Sequence, residues 1–223
     1  EISYRGDKLE VIYELHGKSE SVQATNVLLA VGRHPCFDNL GLEAADINFS
    51  KNGIQVNESM QTSSPTIYAI GDVVGGKMLA HKAFHDAAVA VENILGRNKT
   101  ASYTVVPDCV FSLPEVASVG MSEQDLKERG MQYKVSVFPF AANGKAITCG
   151  ETEGFVKVIT LDSQIVGTHI IGGHAAEMIH EAALAVFAEF KAEELADLIH
   201  AHPTMSEGFH EAVLGSFGKM LHF

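Results

Sequence analysis

Toward the carboxy-terminal end of the chain, the run His200-Ala201-His202-Pro203-Thr204-Met205-Ser206-Glu207 gathers imidazole, hydroxyl and carboxylate groups into a short segment. A histidine directly before proline is pushed out of the helical region, so His202 is expected on an extended loop. Thr204-x-x-Glu207 has the spacing of a helix start. An imidazole with a carboxylate five residues later, across that turn, can form a His-Glu pair. The carboxylate would fix the ring tautomer and strengthen it as a base that moves a proton near neutral pH. The plainer reading is a capping box, in which Glu207 only satisfies backbone donors. Spacing alone favours the cap; the two roles need not exclude each other, but one side chain seldom serves both bonds well.

Other candidates are weaker when taken one at a time. Thr66-Ile67-Tyr68-Ala69-Ile70-Gly71-Asp72 reads as a buried strand ending in Gly-Asp, which would place the Asp72 carboxylate where α/β folds bind ligands. Without further context Gly-Asp is a turn signal. Met78-Leu79-Ala80-His81 lies at the start of a helix expected from about 79 to 95, with Gly96 as its terminator. His81 and His85 stand four apart, a spacing that also suits a metal, but no third ligand shares it, so no metal site is expected. Gly32 ends an apolar run, where a glycine would let the backbone approach a ligand closely. Cys36, Cys109 and Cys149 are odd in number and far apart, so reduced structural thiols in a reducing compartment are expected.

These residues need elements to hold them. Residues 1–31 read as β-rich, with Val11–Leu15 a strand, His16-Gly17-Lys18 a turn and Val27–Val31 a strand covered on both faces. The block 36–63 is loop-rich apart from a short strand at 53–56. After a polar junction at 98–102 the pattern becomes α+β. Strands are expected at 103–106, 116–120, 133–139, 154–160 and 165–171. Helices are expected from Ser122 to Gly130, from 174 to 190, from 191 to 198, and after Pro203.

The net charge of −12, from 28 acidic and 16 basic residues, argues against nucleic acid or an anionic membrane as a partner. No apolar run reaches the roughly 20 residues that cross a bilayer. The chain opens without Met and in apparent mid-strand, so a fragment or processed product of a cytoplasmic protein is expected.

Taken together, the motifs resemble those of the FAD-dependent pyridine nucleotide–disulfide oxidoreductases. In that family the histidine before proline, matching His202, is the proton acceptor, and the acid matching Glu207 bonds to it. The aspartate matching Asp72 holds the ribityl hydroxyl of FAD. The stretch Met78-Leu79-Ala80-His81 approaches the flavin, where a helix amino terminus suits partial negative charge. Ala30-Val31-Gly32-Arg33-His34-Pro35 resembles the exit from the NAD domain, with Gly32 near the nicotinamide nucleotide. Phe111–Gly120 and Phe138–Ala146 resemble the interface domain. The latter block, with Lys219-Met220-Leu221-His222-Phe223, favours the dihydrolipoamide dehydrogenase branch over glutathione or mercuric reductases.

The resemblance implies an α+β interface (dimerisation) domain at 99–223. Before it come incomplete α/β segments, the end of an NAD-binding domain at 1–33 and the second part of an FAD-binding domain at 34–98. It implies oxidation of dihydrolipoamide to lipoamide, with electrons passing through a disulfide and FAD to NAD. The implied partners are a second subunit, whose disulfide His202 would serve, and the lipoyl domains of 2-oxo acid dehydrogenase complexes. Yet the sequence has no pair of cysteines separated by four residues and no Gly-x-Gly-x-x-Gly turn. The chain alone is therefore expected to be inactive and to bind FAD and NAD weakly. Disorder or altered pairing is expected at 1–31, because part of a nucleotide-binding sheet leaves bare strand edges. The alternatives are a fragment of a glutathione-type flavin disulfide reductase and a non-catalytic dimerisation protein.

Overall fold

The structure, a computed structural model, describes residues 1–222; Phe223, the last residue of the tail motif, lies outside the described residues. Strands β1 (Ile2–Arg5), β2 (Lys8–Leu15) and β3 (Lys18–Ala24) form an antiparallel meander in sequence order. His16 and Gly17, both at positive φ, make the two-residue turn between β2 and β3, a geometry whose twist matches that of the flanking strands. Where disorder or altered pairing is expected for 1–31, residues 2–24 pair as a meander, because hairpins satisfy their ladders locally.

The strand expected at Val27–Val31 does not form. Leu28 and Val31 are 89% and 88% exposed, and no described strand pairs with them. A parallel strand exists only beside a hydrogen-bonded neighbour, and apolarity alone cannot supply one. The same reason applies to Thr66–Ile70, which makes only a single bridge, Tyr68 to Gln61.

Between these runs a small core gathers Leu42, Ile47, Ile54 and Ala69. Phe37 and Phe49 pack edge to face on it at 5.3 Å. The two-stranded ribbon β4 (Phe49–Ser50) and β5 (Gly53–Ile54) crosses this core. Helix α1 (Ala80–Ile94) buries Asp86, Val89 and Ala90 and ends at Gly96, whose φ of 79° no β-carbon favours.

Residues beyond 107 build a five-stranded antiparallel sheet. It comprises β6 (Asp108–Val110), β7 (Glu115–Gly120), β8 (Lys134–Pro139), β9 (Phe155–Leu161) and β10 (Gln164–Gly172), in the order β6-β7-β10-β9-β8. The first strand begins at Asp108, later than the expected 103–106, because Tyr103 is drawn aside to bond Asp86.

Helix α2 (Glu123–Glu128) starts with the Ser122–Asp125 capping box. Helix α3 (Gly144–Cys149), not foreseen, is capped by Asn143, whose Oδ1 accepts from the Ala146 N–H at 2.9 Å. Helix α4 (Ala175–Phe187) packs on β7 and β10, while α6 (Glu207–Gly215) packs on β8 and β9, with the short α5 (Ala192–Ala196) beside α6. Phe138, Val156, Val158, Ile170, Ile179, Phe209 and Val213 fill the space between. Each such side chain contributes about 1.5–3 kcal/mol by leaving water. This core fixes α4 and α6, and thereby the loop that joins α5 to α6.

Candidate functional site

The α5–α6 loop carries the histidine motif as far as Ser206, and Glu207 is the first residue of α6. His202 lies outside any helix, as its proline neighbour requires, and the His202–Pro203 peptide is cis. Its Nδ1 lies 2.8 Å from Glu207 Oε1. The other oxygen of the same carboxylate, Oε2, accepts from the Thr204 backbone N–H at 2.7 Å. Glu207 thus makes both bonds at once, the combination that one side chain seldom serves well. A carboxylate has two oxygens and several lone pairs, so a turn of the right width lets each face its own donor. The capping box itself is only half formed. Thr204 Oγ1 donates backward to the Ala201 carbonyl at 2.8 Å and caps no helical N–H.

Burial would push the Glu207 carboxyl upward, but the Thr204 N–H and the His202 ring outweigh it and hold the group below its usual range. Glu207 is therefore ionised at neutral pH and accepts only, so the proton of a neutral His202 ring sits on Nδ1. That leaves Nε2 as the open lone pair. The His202 side chain is 77% exposed while Glu207 is mostly sheltered, an arrangement that presents the base and hides what orients it.

Two residues before the base, His200 faces inward with a side chain only 9% exposed. Its Nε2 donates to Glu181 Oε1 at 2.7 Å, and its Nδ1 lies 3.1 Å from the Leu198 carbonyl. Its ring stacks on His210 at 4.6 Å. The Glu181 hydrogen bond, first among the causes, raises its affinity for a proton above the usual histidine value. His200, His202, Glu207 and His210 line a cleft of about 500 Å³ together with Ile147, Leu198, Ile199 and Leu221. Among the described residues no lysine or arginine lines it. The tail closes one side, since buried Glu211 accepts from the Leu221 N–H at 2.8 Å and lies 2.5 Å from His222 Nδ1.

The other candidates gather at a second place. Asp72 is exposed on a 3-10 turn, Gly71–Val74, close before α1. Helix α1 starts at Leu79 without a side-chain cap, so the N–H groups of Ala80, His81 and Lys82 stay available to an acceptor. Arg33 donates to the Met78 carbonyl at 2.9 Å, which brings the segment of Gly32 beside Met78 and Leu79. Gly32 itself has φ +129° and open space where a β-carbon would stand. The His81 ring is turned away, its Nε2 donating to the Pro107 carbonyl at 2.8 Å. It is the backbone of His81, not the ring, that remains free. Among the described residues no cluster could hold a metal ion.

Under this second place lies a cluster that sequence reasoning missed. Asp86 is fully buried and accepts from Lys82 Nζ at 2.7 Å, Tyr103 Oη at 2.7 Å and the Gly71 N–H at 3.2 Å. Burial alone would raise its carboxyl, but these donors hold it below its usual range. The partners come from three segments, and only the i, i+4 spacing of Lys82 and Asp86 was legible in advance. The cysteines also differ from expectation. Cys36 and Cys149 are exposed, and only Cys109 is partly covered, its thiol pushed up by burial and by the acids Asp108, Glu115 and Glu177.

With this geometry in hand, comparison with known proteins is informative. The model of the pyridine nucleotide-disulphide oxidoreductase dimerisation domain matches residues 106–213, and that of pyridine nucleotide-disulphide oxidoreductases matches residues 1–87. The mitochondrial dihydrolipoyl dehydrogenase of Sus scrofa is 48% identical over 211 residues, and that of Homo sapiens 47%. Each alignment takes in 93% of this chain but only 42% of the relative, so the chain spans less than half the length of these proteins. Among solved structures, LpdA from Mycobacterium tuberculosis superposes with a TM-score of 0.85 at 25% identity, over 95% of this chain and 46% of that one. RclA, an HOCl-induced flavoprotein disulfide reductase from Escherichia coli, gives 0.85 at 27% identity, over 95% and 49%.

Proposed function

The chain belongs to the pyridine nucleotide–disulphide oxidoreductase family, and from that premise we propose that it is the carboxy-terminal part of a dihydrolipoamide dehydrogenase. The observation that carries this reading is the double use of Glu207, one oxygen on His202 Nδ1 and the other on the Thr204 N–H. A carboxylate held so firmly fixes the ring with Nε2 outward. When a dithiol approaches, Nε2 takes the proton from one sulfur and leaves a thiolate. The resulting imidazolium is stabilised by the ionised Glu207 beside it. A cleft lined by Ile147, Leu198, Ile199 and Leu221 without lysine or arginine suits an uncharged aliphatic dithiol. An anionic peptide disulfide of the glutathione type would meet Asp197, Glu207 and Glu211 there and no lysine or arginine among the described residues, with His200 already committed to Glu181, which ranks that alternative second.

The residues of the second place fit the flavin end of FAD. Asp72 offers a carboxylate to a ribityl hydroxyl, and the open N–H groups of Ala80, His81 and Lys82 suit an electron-rich ring edge. Met78 and Leu79 shape the approach. When bound, FAD would pass electron pairs from the dithiol to NAD, and Gly32 would give the nicotinamide nucleotide close access to the backbone. No Gly-x-Gly-x-x-Gly turn for a pyrophosphate occurs in this sequence. The chain by itself is therefore proposed to hold flavin weakly and to lack turnover.

In this reading residues 1–33 end an NAD-binding domain, 34–98 complete an FAD-binding domain and 99–223 form the interface through which two subunits pair. The redox disulfide would then come from the opposite subunit, and the dithiol substrate from lipoyl domains of 2-oxo acid dehydrogenase complexes. Among the described residues no helix is long and apolar enough to cross a membrane. A cytoplasmic site is proposed for the parent enzyme, with the mitochondrion of the named relatives as the alternative that cell fractionation decides. A non-catalytic dimerisation protein would lack an upstream Cys-x-x-x-x-Cys, which the full reading frame reveals.

The test is His202→Gln in the full-length protein. Turnover with dihydrolipoamide should fall at least a hundredfold, the low end of what a positioned general base supplies, while the visible flavin spectrum stays unchanged. Turnover at the wild-type rate would remove His202 from the mechanism.

A further inference from the structure

His202 is exposed and makes one hydrogen bond, so its position depends on the loop that carries it. That loop is tied to the core at three points: Met205 is buried in it, Asn143 Nδ2 donates to the Thr204 carbonyl at 3.1 Å, and the third tie is the one that can carry charge. His200 reaches Glu181 on α4, and α4 buries Met178, Ile179, Ala182 and Ala185. The geometry also sets the charge of the tie. The Leu198 carbonyl can only accept, so His200 Nδ1 carries a proton. The Glu181 carboxyl, bonded at Nε2, favours a second proton there and so the charged ring, and the His210 ring stacks against it.

We infer that His200 is a positioning residue for the base: its charge-assisted bond to Glu181 holds the 198–206 loop so that Glu207 can reach His202 and Thr204 together. This rests on the reading of His202 as the base, and extends it to a second His-Glu pair on alternate positions of the same loop. The charged and titratable groups facing His200 are Glu181 from α4, His210 and Glu207 from α6, and Asp197, Glu211 and His222 across the cleft. Of these, Glu181 makes the only direct bond to it among the described side chains.

The measurement is amide hydrogen exchange of Thr204, whose N–H donates to Glu207, in the 223-residue chain as wild type, His200→Gln and Glu181→Gln. Loss of the tie should cut Thr204 protection about tenfold in both variants, the size expected for one hydrogen bond to a charged group. The amides of β9 and β10 should keep theirs. In the wild type the protection, corrected for intrinsic rates, should decline as pH rises through the raised His200 value, because a histidine favoured in its charged form contributes below that value and not above it. In Glu181→Gln the decline should be absent. Unchanged Thr204 protection in both variants, or a parallel loss in β9 and β10, would overturn the inference. Wild-type turnover in full-length His202→Gln would instead sink the base assignment and leave the exchange result standing.

Discussion

Replacing Asp86 with alanine is the sharpest test of how the second place is held together. The carboxylate is fully buried and answers a buried ammonium at 2.7 Å, a phenol at 2.7 Å and a backbone N–H at 3.2 Å. Removing it strands Lys82, whose side chain is 9% exposed, together with the Tyr103 hydroxyl and the Gly71 N–H. Breaking one side of a buried pair costs about 3–5 kcal/mol, because the remaining charge keeps its desolvation penalty. With a urea dependence of about 2–3 kcal/mol per molar, the midpoint for residues 34–101 should drop by roughly 1–2 M. The chain has no tryptophan, so far-UV circular dichroism of α1 is the appropriate signal. Tyr103→Phe should cost only about 1–2 kcal/mol, one hydrogen bond to a charged acceptor. The double variant Lys82→Met with Asp86→Leu should recover most of the loss, since no charge is then buried. Acid should reproduce the effect. A carboxyl held below its ordinary value contributes fully above the unfolded value of about 3.9 and loses that contribution as pH falls through the lower folded one. A cost below about 1 kcal/mol for Asp86→Ala would refute the reasoning, since the pair would then not be answering a buried charge.

Three further substitutions probe packing elsewhere in the chain. Phe209→Ala empties a site that is 1% exposed in the main core and should cost about 3–5 kcal/mol in urea titrations. Val22→Ala, at a half-exposed position of β3, should stay within about 0.5 kcal/mol. Gly154→Ala should destabilise β9 outright: φ is +100° and an added β-carbon would fall 1.8 Å from the Ile171 carbonyl oxygen. If that variant melts with the wild type, the close approach of β9 to the end of β10 is not as described.

Much of the interface half was legible in the sequence. Strands β7 to β10 and helices α2, α4 and α6 follow from period-two and period-3.6 apolar patterns that are satisfied by neighbours within the same chain. Ser122 with Asp125, and Gly96 and Gly130, announced their helix ends by local chemistry alone. The pattern failed at Val27–Val31 and Thr66–Ile70, where an apolar run calls for strand neighbours that no described segment provides. It also missed α3, which a single asparagine cap and six residues suffice to start.

For the site, the order of residues already determined that a histidine would stand on a loop before proline with a carboxylate one turn away. Spacing could not decide whether Glu207 would cap or orient, because that depends on the width of the turn, and the fold answered that its two oxygens do one task each. His200 and Asp86 show the same division more strongly. Their partners, Glu181 and Tyr103, lie 19 and 17 residues away. Whether such groups meet is settled only when the helices that carry them pack. A periodic pattern encodes which face is buried, but the pairing of distant polar groups is a property of the packed core and exists in no local stretch of sequence.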